Sequence, residues 1–134
     1  MFLSHADKDH VVGLIPLLEH PKIEVKNIYH NGIGLYADGH NTELGTMVNN
    51  KLTTIHDSLQ DLAGEQLKTD FKKWIDAVTT SGANYRRLDA SDGFLPVGDA
   101  SVQLEILGPI LEMDNTLKWF GGKSHTINGH SLIF

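Results

Sequence analysis

Read for its apolar and polar positions, the chain divides into short segments whose periods differ. Phe2 to Ser4 reads as the tail of a strand that leads into the polar stretch ending at His10. Apolar residues return from Val11 to Leu18 with no polar face, which predicts a buried helix. Pro16 fits it if the helix starts near Leu14, and His20-Pro21 ends it. Ile23 to Tyr29 alternates like a half-exposed strand, and His30 to Gly34 turns the chain. Leu44, Met47, Val48, Leu52, Ile55, Leu59 and Leu62 step by three and four, predicting a long helical region from Asn41 that Gly64 interrupts. Leu67, Phe71, Trp74, Ile75 and Val78 make a second helical stripe, stopped at Ser81-Gly82.

The remainder reads as strands and loops. Tyr85 to Leu88 is a short strand. Asp89 to Asp99 is a loop with a short strand around Phe94-Leu95, and Val102, Leu104 and Ile106 alternate with Gln103 and Glu105 in a strand with one buried face. Pro109 to Gly122 is loop, and Ile127 with Ser131 to Phe134 forms the last strand. Strands and helices interleaved in this way predict an α/β fold, a mixed sheet with helices packed on its outside.

Composition narrows the picture slightly. A chain of 134 residues suits one domain, and 40% hydrophobic with 21% charged residues describes a soluble globular protein. No apolar run approaches the roughly 18 residues of a membrane helix, and the first residues lack the basic and apolar regions of a secretory leader. The absence of cysteine removes disulfide and thiolate chemistry and suits a reducing compartment, so a cytoplasmic location is expected. A formal charge of -6 argues against nucleic-acid binding through a basic surface. It leaves a phosphodiester substrate open, because bound cations reverse the local field.

Candidate chemistry concentrates in Ser4 to His10, where His5, Asp7, Asp9 and His10 fall within six positions. In an extended segment His5, Asp7 and Asp9 share one face and His10 takes the other. Two neighbouring ions, one on His5 and Asp7 and one on Asp9 and His10, suit that geometry better than one ion on all four. Imidazole with carboxylate points to zinc, manganese or iron. The plainer reading is a polar turn between strand and helix, with Asp9 as a helix cap. Ser4, His5 and Asp7 are too close in sequence to converge as a catalytic triad. Gly32-Ile33-Gly34 lacks the third glycine and following helix of a phosphate loop. His20, His30, His40, His56 and His125 are expected on the surface or in loops, since nothing pairs them at ligand spacing.

Ser4-His5-Ala6-Asp7-Lys8-Asp9-His10-Val11-Val12-Gly13-Leu14 resembles the H-x-H-x-D-H loop of the metallo-β-lactamase fold hydrolases. Asp7 stands where the second histidine usually is, as in the branch related to DNA-uptake competence proteins, and Val12 replaces the first of two glycines. Val102 to Pro109 and Asn128-Gly129-His130-Ser131-Leu132-Ile133-Phe134 resemble that branch's strand-Gly/Pro and Asn-x-x-Ser-apolar segments. Residues 30 to 100 carry none of the motifs.

The resemblance implies part of an αββα sandwich. Residues 1 to 134 are then expected to form a single incomplete domain, without the family's leading hairpin, its later Gly-Asp loop and its last histidine. It also implies one or two divalent ions, zinc foremost, held by His5, Asp7, Asp9 and His10, with either His130 or Asn128 reaching the centre. Asp9 would orient a metal-activated hydroxide that attacks a phosphodiester or related ester, nucleic acid among the substrates by branch analogy alone. With parts of that centre missing, the isolated chain is expected to be inactive, and its open sheet edges invite self-association. The alternative is a noncatalytic metal-binding or interaction module that keeps only the first metal loop.

Overall fold

A computed structural model of the chain describes residues 1–96, 98 and 101–134; Val97 and Asp99 of the expected loop lie outside the described residues. The architecture is mixed α/β, with three small sheets, five α-helices and one 3-10 turn among the described residues. At its centre β1 (Asn27–His30) runs parallel to β4 (Asn84–Arg87), Ile28 opposite Tyr85. Tyr29 hydrogen-bonds on the other side to the N-terminal segment, donating to Met1 O and accepting from Leu3 N, both at 2.9 Å. Three parallel segments therefore end together, at Ser4, at Asn31 and at Leu88.

The link from β1 to β4 includes α4 (Thr69–Ser81), whose Phe71, Trp74, Ile75 and Val78 are buried as the stripe predicts. Gly82 ends it in the left-handed conformation, φ 68°, which glycine adopts without a Cβ penalty. The chain turns helical earlier than expected: α1 (Lys8–Val11) already contains Asp9 and His10, so the extended run expected through His10 stops at Asp7, and α2 (Ile15–Glu19) follows with Pro16 in its first turn. The expectation of full burial fails there. Val11 and Leu18 are buried, but Val12 and Leu17 are each 42% exposed, because only one side of this pair meets α4.

The long helix expected from Asn41 to Leu62 is corrected. Met47–Val48 (β2) and Lys51–Leu52 (β3) form an antiparallel hairpin that continues to β7 (Leu117–Lys118). Asn49 and Asn50 turn the hairpin with φ of 51° and 58°, and Gly45 sits at φ 121°. Asn41 also acts against a helix: its side chain accepts from Met47 N at 2.7 Å and donates to Met47 O at 2.8 Å. Turn-forming residues of this kind outweigh an apolar spacing of three and four. Only Leu59 and Leu62 of that stripe are helical, in α3 (Leu59–Ala63), capped by Ser58.

Beyond β4 the expected short strands appear as β5 (Phe94–Pro96) paired with β6 (Gln103–Glu105). Instead of a last strand, α5 (Lys123–Gly129) precedes an extended end in which Ile133 bridges Gly108. One apolar residue, Ile127, gave this short glycine-flanked helix no readable period. No helix among the described residues is long and apolar enough to cross a membrane.

Candidate functional site

The polar loop after the first parallel segment is anchored from beneath. Leu3, Ala6 and Val11 are buried, and the Ser4 carbonyl accepts from Leu132 N at 2.8 Å and from Asn31 Nδ2 at 3.3 Å. Lys8 Nζ, 3.3 Å from Asp70 Oδ2, ties α1 to α4 at the surface, a contact worth little energy but fixing direction. The loop thus sits at the carboxyl ends of parallel strands, where open α/β sheets commonly bind ligands.

His5 and His10 face each other there, ring centroids 3.9 Å apart. Each has a carboxylate beside its Nε2: Asp7 Oδ2 at 3.9 Å from His5 and Asp9 Oδ2 at 3.7 Å from His10. Asp7 occupies the N-cap position of α1, yet its side chain makes no capping hydrogen bond. Burial first, and the neighbouring His10 second, hold the His5 ring below the ordinary imidazole value, against the opposing pull of Asp7 and Asp9. A cleft of about 340 Å³ opens beside the cluster, lined by Phe2, Leu3, Ser4, Asp9, His10, Leu14 and Phe134.

The four residues of the loop therefore come together. His130, the fifth candidate, is engaged elsewhere: its Nε2 lies 2.7 Å from the Lys118 carbonyl, and its ring stacks on Phe120. Burial lowers its pKa more than the Lys118 carbonyl raises it. Asn128, the other candidate in that segment, donates to the Ser124 carbonyl within α5. What reaches His5 from this end of the chain is Ser131, whose Oγ lies 3.2 Å from His5 Nδ1. Ser131 belongs to the Asn-x-x-Ser pattern read in the sequence, but its part at the site depends on a contact across 126 positions. Asn31 is fully buried, in a stretch that the sequence marks only as a turn.

Of the remaining histidines, His30 departs from the surface-or-loop expectation, while His40 and His56 lie in loops as expected. His30 is fully buried at the end of β1, against Phe71 and Trp74. His40 and His56 flank one carboxylate, with Nε2 3.3 Å from Glu65 Oε2 and 3.4 Å from Glu65 Oε1 respectively. Elements distant in sequence supply these partners, so no local spacing announces them. Among the described residues no three histidine, aspartate or glutamate side chains are disposed to hold one metal ion together.

The donor chemistry of the first cluster nonetheless suits divalent ions taken in pairs of ligands. Each pair offers one imidazole nitrogen and one carboxylate oxygen. Their 3.7 and 3.9 Å separations slightly exceed the roughly 3.4 Å spanned by two tetrahedral ligands at about 2.1 Å from zinc. No family model matches the chain, and no curated protein and no solved structure matches it either.

Proposed function

We propose that this chain is a metal-dependent hydrolase domain of the metallo-β-lactamase kind, acting on a phosphodiester or related ester. One observation carries the reading: two imidazoles in ring contact, each with a carboxylate beside its Nε2, at the common end of three parallel segments and on the edge of a cleft. Divalent ions, zinc or else manganese or iron, would supply an acidified water and polarise the phosphoryl oxygen. His5 and Asp7 would hold one ion, Asp9 and His10 the other. Asp9, with its side chain 83% exposed, also orients the attacking water. Phe2, Leu14 and Phe134 give the cleft an apolar wall for the body of the substrate. The cysteine-free composition suits work in the cytoplasm.

A noncatalytic metal-binding module is the second reading, favoured by the engagement of His130 with Lys118, which leaves each ion two protein ligands. Calorimetric titration with zinc and with manganese, paired with hydrolysis of bis(p-nitrophenyl) phosphate, separates the two. Binding should be weak and should fall to the His5–Asp7 ion alone in Asp9→Ala/His10→Ala; metal-dependent turnover lost in Asp9→Ala carries the enzyme, and binding without turnover carries the module. Tight binding that survives the double substitution would place the ligands elsewhere.

A further inference from the structure

The hydroxyl that arrives from the far end of the chain constrains the protons of the cluster. Ser131 Oγ donates its one proton to the Asn128 carbonyl at 2.9 Å. In its contact with His5 Nδ1, 3.2 Å away, Ser131 is therefore the acceptor. An acceptor at that place requires Nδ1 to carry the proton of the neutral ring. Nε2 is then bare, and it is the nitrogen that faces Asp7.

Ser4 completes the count. Its Oγ lies 3.2 Å from His5 Nδ1 and 2.9 Å from His10 Nδ1. With His5 protonated at Nδ1, Ser4 accepts from His5 and gives its own proton to His10 Nδ1. The neutral His10 ring then carries its proton on Nε2, toward Asp9. Two rings in contact hold opposite tautomers.

We infer that Ser131 is a positioning residue that fixes His5 as the Nδ1–H tautomer and leaves Nε2 free as a ligand nitrogen. The pair His5–Asp7 therefore takes an ion first, because His10 must move a proton before its Nε2 can bind. The loading order rests on the metal-hydrolase reading; the tautomers do not. Outer hydrogen bonds of this kind typically change metal affinity 10- to 100-fold when removed.

The test is a long-range ¹H–¹⁵N correlation spectrum of the labelled full chain, metal-free, well above the ordinary imidazole pKa. The expected result is His5 protonated on Nδ1 and His10 on Nε2. Ser131→Ala should turn His5 into a mixture of tautomers, and Ser131→Thr should restore the single form. Ser4→Ala should leave His5 unchanged, since Ser131 still accepts, and should free His10 alone. In a zinc titration His5 Nε2 should respond before His10, with apparent affinity about tenfold or more weaker in Ser131→Ala and recovered in Ser131→Thr. A wild-type His5 protonated on Nε2, or a Ser131→Ala chain with tautomer and affinity both unchanged, overturns the assignment. A His10 that responds first overturns the order. Tautomers as inferred with no zinc uptake at all would defeat the metal reading and uphold the control of the His5 proton by Ser131.

Discussion

Asn31 Nδ2 donates to the carbonyl of His130 at 2.8 Å, a buried hydrogen bond across 99 positions that binds the end of β1 to the C-terminal segment. The same amide reaches Ser4 O at 3.3 Å, and its oxygen accepts from Ile33 N at 3.0 Å. Replacing Asn31 with alanine strands the His130 carbonyl and the Ile33 N–H and leaves Ser4 O with Leu132 N alone, and a loss of about 2 to 4 kcal/mol is expected in urea denaturation. Asn31→Asp should cost at least as much at neutral pH, since it turns an acceptor toward two acceptors. A loss under about 0.5 kcal/mol for both would mean that water replaces the amide.

Trp74 is completely buried, and its indole N–H has no hydrogen-bond partner among the described residues. Its ring stacks on Phe71 at 5.6 Å and faces His30 at 5.4 Å. Trp74→Ala should lower stability by about 3 to 5 kcal/mol through lost contacts and a residual cavity. Trp74→Phe should cost much less, because it also removes the unpaired N–H. Equal losses in the two variants would show that the N–H is satisfied in solution.

The hairpin turn makes a prediction of opposite sign. Asn50 holds φ 58°, where a Cβ is penalised by roughly 1 to 2 kcal/mol unless the side chain is Asn or Asp. Asn50→Gly should be neutral or slightly stabilising in thermal denaturation, and Asn50→Ala should destabilise by about 1 kcal/mol. A more stable alanine variant would contradict the left-handed turn.

His30 should make the fold acid-sensitive. Complete burial, with the charge of His5 as a second cause, pushes its pKa down from the ordinary 6.5 to about 3. Between those values the unfolded chain binds a proton that the native chain does not, so stability falls as pH drops from about 6.5 toward 3, by up to about 1.4 kcal/mol per pH unit. Denaturation midpoints across that window should decline less steeply in His30→Phe. Identical slopes in the two proteins would assign the acid sensitivity to other groups.

What the sequence disclosed follows how local the determining physics is. Phe71, Trp74, Ile75 and Val78 with Gly82 behind them marked α4, because period and stop signal lie within one segment. The stretch from Asn41 to Leu52 misled, because its apolar spacing suits a helix while the asparagines that decide it act through side-chain bonds and left-handed backbone. The site divides in the same way. His5, Asp7, Asp9 and His10 are neighbours in sequence and were readable as a cluster. Asn31 and Ser131 join them only through tertiary contacts.

The junction of the chain's two ends also sets a timetable. Leu132 N bonds to Ser4 O, the rings of Phe2 and Phe134 lie 4.5 Å apart, and Ser131 meets His5 across 126 positions. Closing a loop of that length costs about 1.6 kcal/mol more chain entropy than closing one of 20 residues. Folding therefore meets this contact late, after the more local pairing of α3 with α4 and of β2 with β3. The amide proton of Leu132 should exchange with solvent sooner than those of α4, by partial opening at the junction. A ligand gripping the loop would close that route, slowing exchange at Leu132 while leaving the interior of α4 nearly unchanged.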